Sequence, residues 1–247
     1  MEYGLVVTSA DLDRLGELDY PEGCALLIDK PLDWTSFNVV GKIRNRLCRH
    51  LNRKKFKVGH AGTLDPRATG LLIICTGKMT KQITSFMGLE KEYTGTITFG
   101  GTRPSYDMET AVDQVYPFDH IDEIKLEEAL KHFRGEFMQQ PPIFSAKQVD
   151  GKRAYESARK GREVKLHPCP VEVTEFTCTR LELPEMDFRV RCSKGTYIRS
   201  LAHDLGKALG SGGYLSCLRR TAIGDYRVED AIDVEVFADA LTPKIDI

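Results

Sequence analysis

The sequence predicts an α+β domain built on a central mixed, mostly antiparallel sheet flanked by helices and loops. Three observations predict it. Strand-like and helix-like periodicities follow one another irregularly rather than in strict alternation, residues 91–99 show the two-residue alternation of a half-buried strand, and no repeat or low-complexity linker divides the 247 residues. A composition of 41% hydrophobic and 29% charged residues excludes disordered, collagen-like and coiled-coil chains.

The first element is the apolar run Ala25 to Ile28, ended by Asp29-Lys30-Pro31, where proline imposes a turn. Thr35 or Ser36 then caps a helix whose Val39, Val40, Ile43, Leu47 and Leu51 form one stripe and whose arginines form another. GHAGTLDPRATG (59–70) is too rich in breakers to be regular, and Leu71 to Thr76 reads as a buried strand. In Lys91 to Phe99, Tyr93, Ile97 and Phe99 share one parity and three threonines the other. Residues 122–133 have helical spacing, and Pro141-Pro142 forces extended chain after them. A short helix is expected over Tyr155 to Lys160, and strands over Val171 to Leu183 and Phe188 to Cys192. A helix over Tyr197 to Ala208 is closed by glycines.

The longest apolar runs fall far short of the ~20 residues that cross a bilayer. No secretory signal is visible in 1–23, and the seven scattered cysteines include no C-x-x-C pair. That pattern predicts reduced thiols in a cytoplasm, without a disulfide framework or a metal site. The net charge of −1 conceals segregation: residues 42–57 carry eight Lys/Arg and no acid, and 145–165 carry seven Lys/Arg against three acids. Residues 225–247 carry seven acids against two bases. Taken alone, such a basic run is more often a solvated helix face than a polyanion site, although segregated charge lets a near-neutral chain present a strongly basic face.

Within GHAGTLDPRATG the glycines permit sharp turns, and Asp65 stands between Leu64 and Pro66. The loop lacks the Gly-Lys-Ser/Thr of a phosphate cradle and the ligand set of a metal centre. Taken alone, an Asp in such a loop is most often a turn former, and a lone His such as His60 is more often a structural hydrogen-bonding residue than a catalyst.

GHAGTLDPRATGLLIICTGKMTK resembles the catalytic motif of the TruB family of tRNA pseudouridine-55 synthases, matching G-H-x-G-T-L-D-P-x-A-x-G-x-L at every fixed position. LLIDKPLDWTS, KEYTGTITFG, FRGEFMQQPPIFSAKQVDGKRAYESARKG, CSKGTYIRSLAHDLG and YLSCLRRTAIG agree in order, so the resemblance spans roughly residues 24–224. Asp33 replaces the glycine of K-P-x-G-x-T-S, TRPSYDMET blurs T-x-T-x-D-x-D-G while keeping Asp107, and Gln148 occupies a position usually held by lysine.

The resemblance implies a pseudouridine synthase fold with its catalytic cleft across the sheet. It implies isomerisation of uridine 55 in the T-loop of tRNA without cofactor or metal. It also implies roles. Asp65 is the catalytic carboxylate, Arg199 the cation that keeps it ionised, and Tyr93 a stacking residue and proton relay. Tyr197 forms a pocket wall, Leu218 contacts the target nucleotide, His60 enters the RNA loop, and Lys30 buttresses the pocket. Arg53, Lys54, Lys55, Lys147, Lys152 and Arg153 are the candidate contacts to the RNA backbone. The expected organisation is an N-terminal segment 1–23, a catalytic domain 24–224, and a short acidic tail 225–247 in place of the family's PUA-type extension. The expected partner is the T-arm stem-loop of tRNA, bound by a monomer with no protein partner. A T-arm-binding chaperone and a glycosidic hydrolase are the rival functions.

Overall fold

The computed structural model describes residues 4–144 and 166–242, together with the backbone of two short strands at 148–149 and 152–153. The chain forms two compact units, Met1–Lys91 with Arg219–Ile247, and Glu92–Leu218. Both boundaries fall inside strands, so no linker composition marks them.

The first unit opens with β1 (Val6–Val7), β2 (Ala25–Lys30), β3 (Val58–His60) and β4 (Ala68–Thr76). β2 and β4 run antiparallel with Lys30 opposite Gly70, β3 is antiparallel to β4, and β1 is parallel to β2. The apolar run in β4 shows no alternation because both faces of the sheet are covered. On one face Leu26, Ile28, Leu72 and Ile74 pack against Val39, Ile43 and Leu47 of α1 (Ser36–His50). On the other, Leu27, Leu71 and Ile73 pack against Phe86 of α2 (Ile83–Gly88). Thr35 and Asn38 close a reciprocal capping box at the start of α1, so Thr35 is the cap and Ser36 is released for another task.

The second unit contains β5 (Lys91–Phe99), the short pair β6 (Gly101–Thr102) and β7 (Gln114–Val115), α3 (Glu123–Lys131) and β8 (Gly135–Gln139). After the hairpin of β9 (Gln148–Val149) and β10 (Lys152–Arg153) come β11 (Cys169–Glu182), β12 (Glu185–Cys192) and α4 (Ile198–Ala208). The strand order is β5-β12-β11-β8, with β11 antiparallel to both neighbours. Tyr93, Ile97 and Phe99 are buried as their parity predicts. The helix expected over Tyr155 to Lys160 lies outside the described residues.

β13 (Gly213–Ile223) is a strand that periodicity alone does not reveal, because Arg219-Arg220 interrupts its apolar pattern. The breaker-rich loop is also shorter than expected: β3 reaches His60 and β4 begins at Ala68, which leaves 61–67 irregular.

The acidic tail requires a correction. β14 (Tyr226–Arg227) folds back on the end of β13, β15 (Ile232–Asp233) pairs parallel with β2, and α5 (Val234–Ala240) seats Val234 and Phe237 in the cluster beneath α1. Glu229, Asp230, Asp233, Glu235 and Asp239 are exposed, whereas Val228, Ile232, Val234, Phe237 and Leu241 are buried. A charge count registers only the first set. The N-terminal segment joins the same unit, through β1 and through a 3-10 helix, Ser9–Glu17, that buries Leu15.

Candidate active site

In the first unit the loop 61–67 carries Asp65, half-buried, and is pinned on both sides of it. Ser36 Oγ donates to the Leu64 carbonyl at 3.1 Å and accepts the Leu64 N–H at 2.9 Å. On the far side the Asp33 N–H donates to the Pro66 carbonyl at 2.9 Å, and the Ala68 N–H donates to the Asp65 carbonyl at 3.1 Å. Asp33 itself has a φ of 63°, the left-handed conformation that a glycine would adopt there; its carboxylate accepts from Arg67 Nη1 at 2.7 Å.

Lys30 is wholly buried at the end of β2. Its ammonium donates to the Pro31 carbonyl at 2.8 Å, the Trp34 carbonyl at 2.6 Å and the Pro66 carbonyl at 3.5 Å. Burial pushes the Lys30 amine down to about 8, against the opposing pull of the Asp65, Asp33 and Asp29 charges. Lys30 thus braces the turn before α1 and the Pro66 limb of the loop together. His60, the last residue of β3, is held below the ordinary imidazole range first by burial and then by the charge of Arg220.

Arg220 and Ser36 are the residues that sequence reasoning missed here. The Arg220 guanidinium is 1% exposed, donates from Nε to the Leu71 carbonyl at 2.7 Å, and donates from Nη2 to the Gly62 carbonyl at 3.2 Å. Its neighbour Arg219 grips Asp29 with two hydrogen bonds of 2.6 and 3.1 Å. One signal was available: in a strand, two consecutive arginines point to opposite faces, so one of them must point inward.

The second unit holds the other candidates. Tyr93 is buried in β5 and Leu218 in β13. Tyr197 is the N-cap residue of α4, and both its N–H and its carbonyl are bonded to the Gln139 side chain, at 2.8 and 3.0 Å. Arg199, in the first turn of α4, is 5% exposed, donates to the Ser105 carbonyl at 3.2 Å and has Asp107 Oδ2 3.7 Å from its Nε. One turn on, His203 stacks on Tyr106 with ring centroids 3.9 Å apart. Residues 199 and 203 thus hold consecutive residues of one loop from one face of the helix. Arg53, Lys54 and Lys55 are exposed just beyond α1. Lys147 lies outside the described residues, and Lys152 and Arg153 are described only as backbone of β10. Among the described residues no group of His, Cys, Asp or Glu could hold a metal ion, and no helix is long and apolar enough to cross a membrane.

Comparison with known proteins places this arrangement. The protein-family model described as "TruB family pseudouridylate synthase (N terminal domain)" matches residues 49–198, and that described as "tRNA pseudouridylate synthase B C-terminal domain" matches 199–244. The chain is 28% identical to a solved structure titled "Crystal Structure of a Cbf5-Nop10-Gar1 Complex", with a TM-score of 0.65 over 92% of this chain and 62% of that one. It is also 28% identical to one titled "Structure of H/ACA RNP bound to a substrate RNA containing 2'-deoxyuridine", with a TM-score of 0.63 over 87% of this chain and 52% of that one. The chain therefore spans about half to three-fifths of those proteins. Fold and family models together are those of a pseudouridylate synthase, an isomerase.

Proteins named tRNA pseudouridine synthase B are more similar still: 56% identity in Flavobacterium johnsoniae over 90% of this chain and 98% of the relative, and 53% in Phocaeicola vulgatus over 91% and 95%. The relative in Chlorobaculum tepidum is 50% identical over 90% of this chain and 92% of its own length. The chain belongs to the TruB family.

Proposed function

We propose that the protein isomerises uridine 55 in the T-loop of tRNA to pseudouridine, with Asp65 as the catalytic carboxylate. The observation that carries this reading is the Asp65 loop, which has the family's motif intact and is pinned on each side by Ser36 and Lys30. The names of the relatives supply the tRNA substrate. In the reaction the N1–C1′ bond breaks, the uracil turns, and a C5–C1′ bond forms; C5 loses a proton and N1 gains one. Nothing is oxidised or hydrolysed, so no cofactor is required. Rigid placement of the carboxylate is what the chain must contribute, because an ordered loop has its conformational entropy paid before substrate arrives.

Arg199 is the cation that keeps the carboxylate ionised in a dry pocket, Tyr93 stacks on the flipped base and relays a proton, and Tyr197 walls the pocket. Leu218 contacts the target nucleotide, His60 enters the RNA loop, and Lys30 is a buttress. Arg53, Lys54 and Lys55, with Lys147, Lys152 and Arg153, neutralise backbone phosphates of the T-arm. The enzyme acts as a monomer in the cytoplasm and needs no protein partner.

The test is intact mass combined with carbodiimide labelling of pseudouridine on a T-arm stem-loop. Unchanged mass with a label at position 55 is expected. Free uracil and an abasic site would make the protein a hydrolase, and binding without either product a chaperone. Asp65→Asn should lower kcat more than about a thousandfold while RNA affinity stays within a few fold. Substantial turnover in that variant would remove the carboxylate from the mechanism.

A further inference from the structure

Arg220 combines two properties that a structural strut does not need together. Its side chain is almost wholly buried, and its hydrogen bonds go to two main-chain carbonyls, with none to a carboxylate among the described residues. Neutral donors could satisfy the Leu71 and Gly62 carbonyls without carrying a charge out of water. The buried charge is felt nearby, since it helps depress both His60 and Lys30.

The two carbonyls matter by position. Gly62 precedes Asp65 by three residues and Leu71 follows it by six, so a single rigid fork ties the entry of the loop to the strand that leaves it. Gly62 stands at a φ of 106°, a conformation that side-chain-bearing residues rarely adopt, so glycine is what lets the backbone turn its carbonyl to the guanidinium; the space itself is open, since a Cβ there would lie 3.8 Å from Arg220 Nη1. Two further features aim the side chain inward. Arg219 is held to Asp29 by a bidentate pair, and the backbone of Arg220 presses on Gly70, where a Cβ would meet the Arg220 carbonyl oxygen at 2.3 Å.

We infer that Arg220 is a positioning residue of the reaction: its guanidinium holds the Asp65 loop in its working shape and, with Lys30, supplies a buried positive field that favours the ionised carboxylate. This inference rests on Asp65 being the reacting group. The other charged or titratable groups around the loop within this unit are Asp29, Asp33, His60 and Arg67, of which Asp33 is engaged by Arg67 and Asp29 by Arg219. Among the described residues Lys30 and Arg220 therefore have no acid of their own in a hydrogen bond, and their charge is available to the loop.

The test is the pH dependence of single-turnover isomerisation in Arg220→Met and Arg220→Lys, with RNA affinity and thermal unfolding measured in parallel and Asp65→Asn as control. Arg220→Met should lower kcat about 100-fold, leave RNA affinity within about threefold, and move the acid limb of the profile to higher pH by about one unit. Arg220→Lys keeps the charge but cannot span both carbonyls. Its acid limb should stay in place while kcat falls about tenfold.

A folded Arg220→Met variant with wild-type kcat, or with lowered kcat and an unmoved acid limb, overturns the inference. Should Arg220→Met fail to fold, Arg220→Lys decides: an unmoved limb with reduced kcat supports the proposal, and a moved limb or unchanged kcat overturns it. Turnover surviving in Asp65→Asn would instead defeat the proposed function. An inactive Asp65→Asn beside a normal Arg220→Met would defeat this inference alone.

Discussion

Asp204 shows how burial writes a cost into a single residue. It lies within α4 with Lys207 three residues on, yet desolvation outweighs that cation and pushes its carboxyl up to about 6. The folded value lies above the ordinary 3.8, so between about pH 4 and 6 the folded state binds more protons than the unfolded chain, and stability falls as pH rises through that window. Asp204→Asn removes the penalty. It should raise stability by on the order of 1–2 kcal/mol at pH 7.5, and the gain should vanish near pH 4, where the wild-type carboxyl is already neutral. Calorimetric unfolding at the two pH values checks this; an equal gain at both would assign the effect to amide packing. Lys30 shows the same balance in a group of opposite charge, because burial lowers its amine to about 8 while the nearby acids oppose that fall and three carbonyls accept its hydrogen bonds.

Glycines separate the elements that merely tolerate a side chain from those that exclude one. Gly41 lies in α1 where an added Cβ would meet nothing within 4 Å, whereas Gly70 in β4 has a φ of 104° and no room beside the Arg220 backbone. Gly41→Ala should stabilise the protein by about 0.5–1 kcal/mol through helix propensity. Gly70→Ala should destabilise it by more than about 2 kcal/mol, since neither a flexible side chain nor an ordinary φ can absorb the clash. Denaturant titration of both variants against wild type measures the contrast, and a neutral Gly70→Ala would mean that β13 can move off β4. The same distinction explains what could be read from sequence. α1, β5 and α4 declare themselves through local period, and Asp65, His60 and Lys30 through motif. Ser36 and Arg220 act on partners 28 and 158 residues away, which leaves no local pattern, and the hydrophobic residues of β15 and α5 are hidden among acids.

Across the whole molecule, a net charge of −1 coexists with a basic run, and the structure shows how its members are employed. Lys42 is committed to Glu235, Arg44 lies over the exposed Phe37 ring, and Arg53, Lys54 and Lys55 project beyond the C-terminal end of α1. The proposed RNA contact then has a quantitative signature. Each phosphate neutralised releases counterions and contributes about 0.7–0.9 to the slope of log K against log salt. Replacing Arg53, Lys54 and Lys55 together by glutamine should flatten that slope by about 2–3 units and weaken binding most at low salt. Saturating single-turnover rates should be nearly unchanged, because these side chains do not shape the Asp65 loop. The measurement is RNA affinity of wild type and triple variant across a salt series, alongside the saturating rate. An unchanged slope would assign the phosphate contacts to other residues, and a fall in saturating rate equal to the loss of affinity would show that the basic run also orients the RNA for reaction.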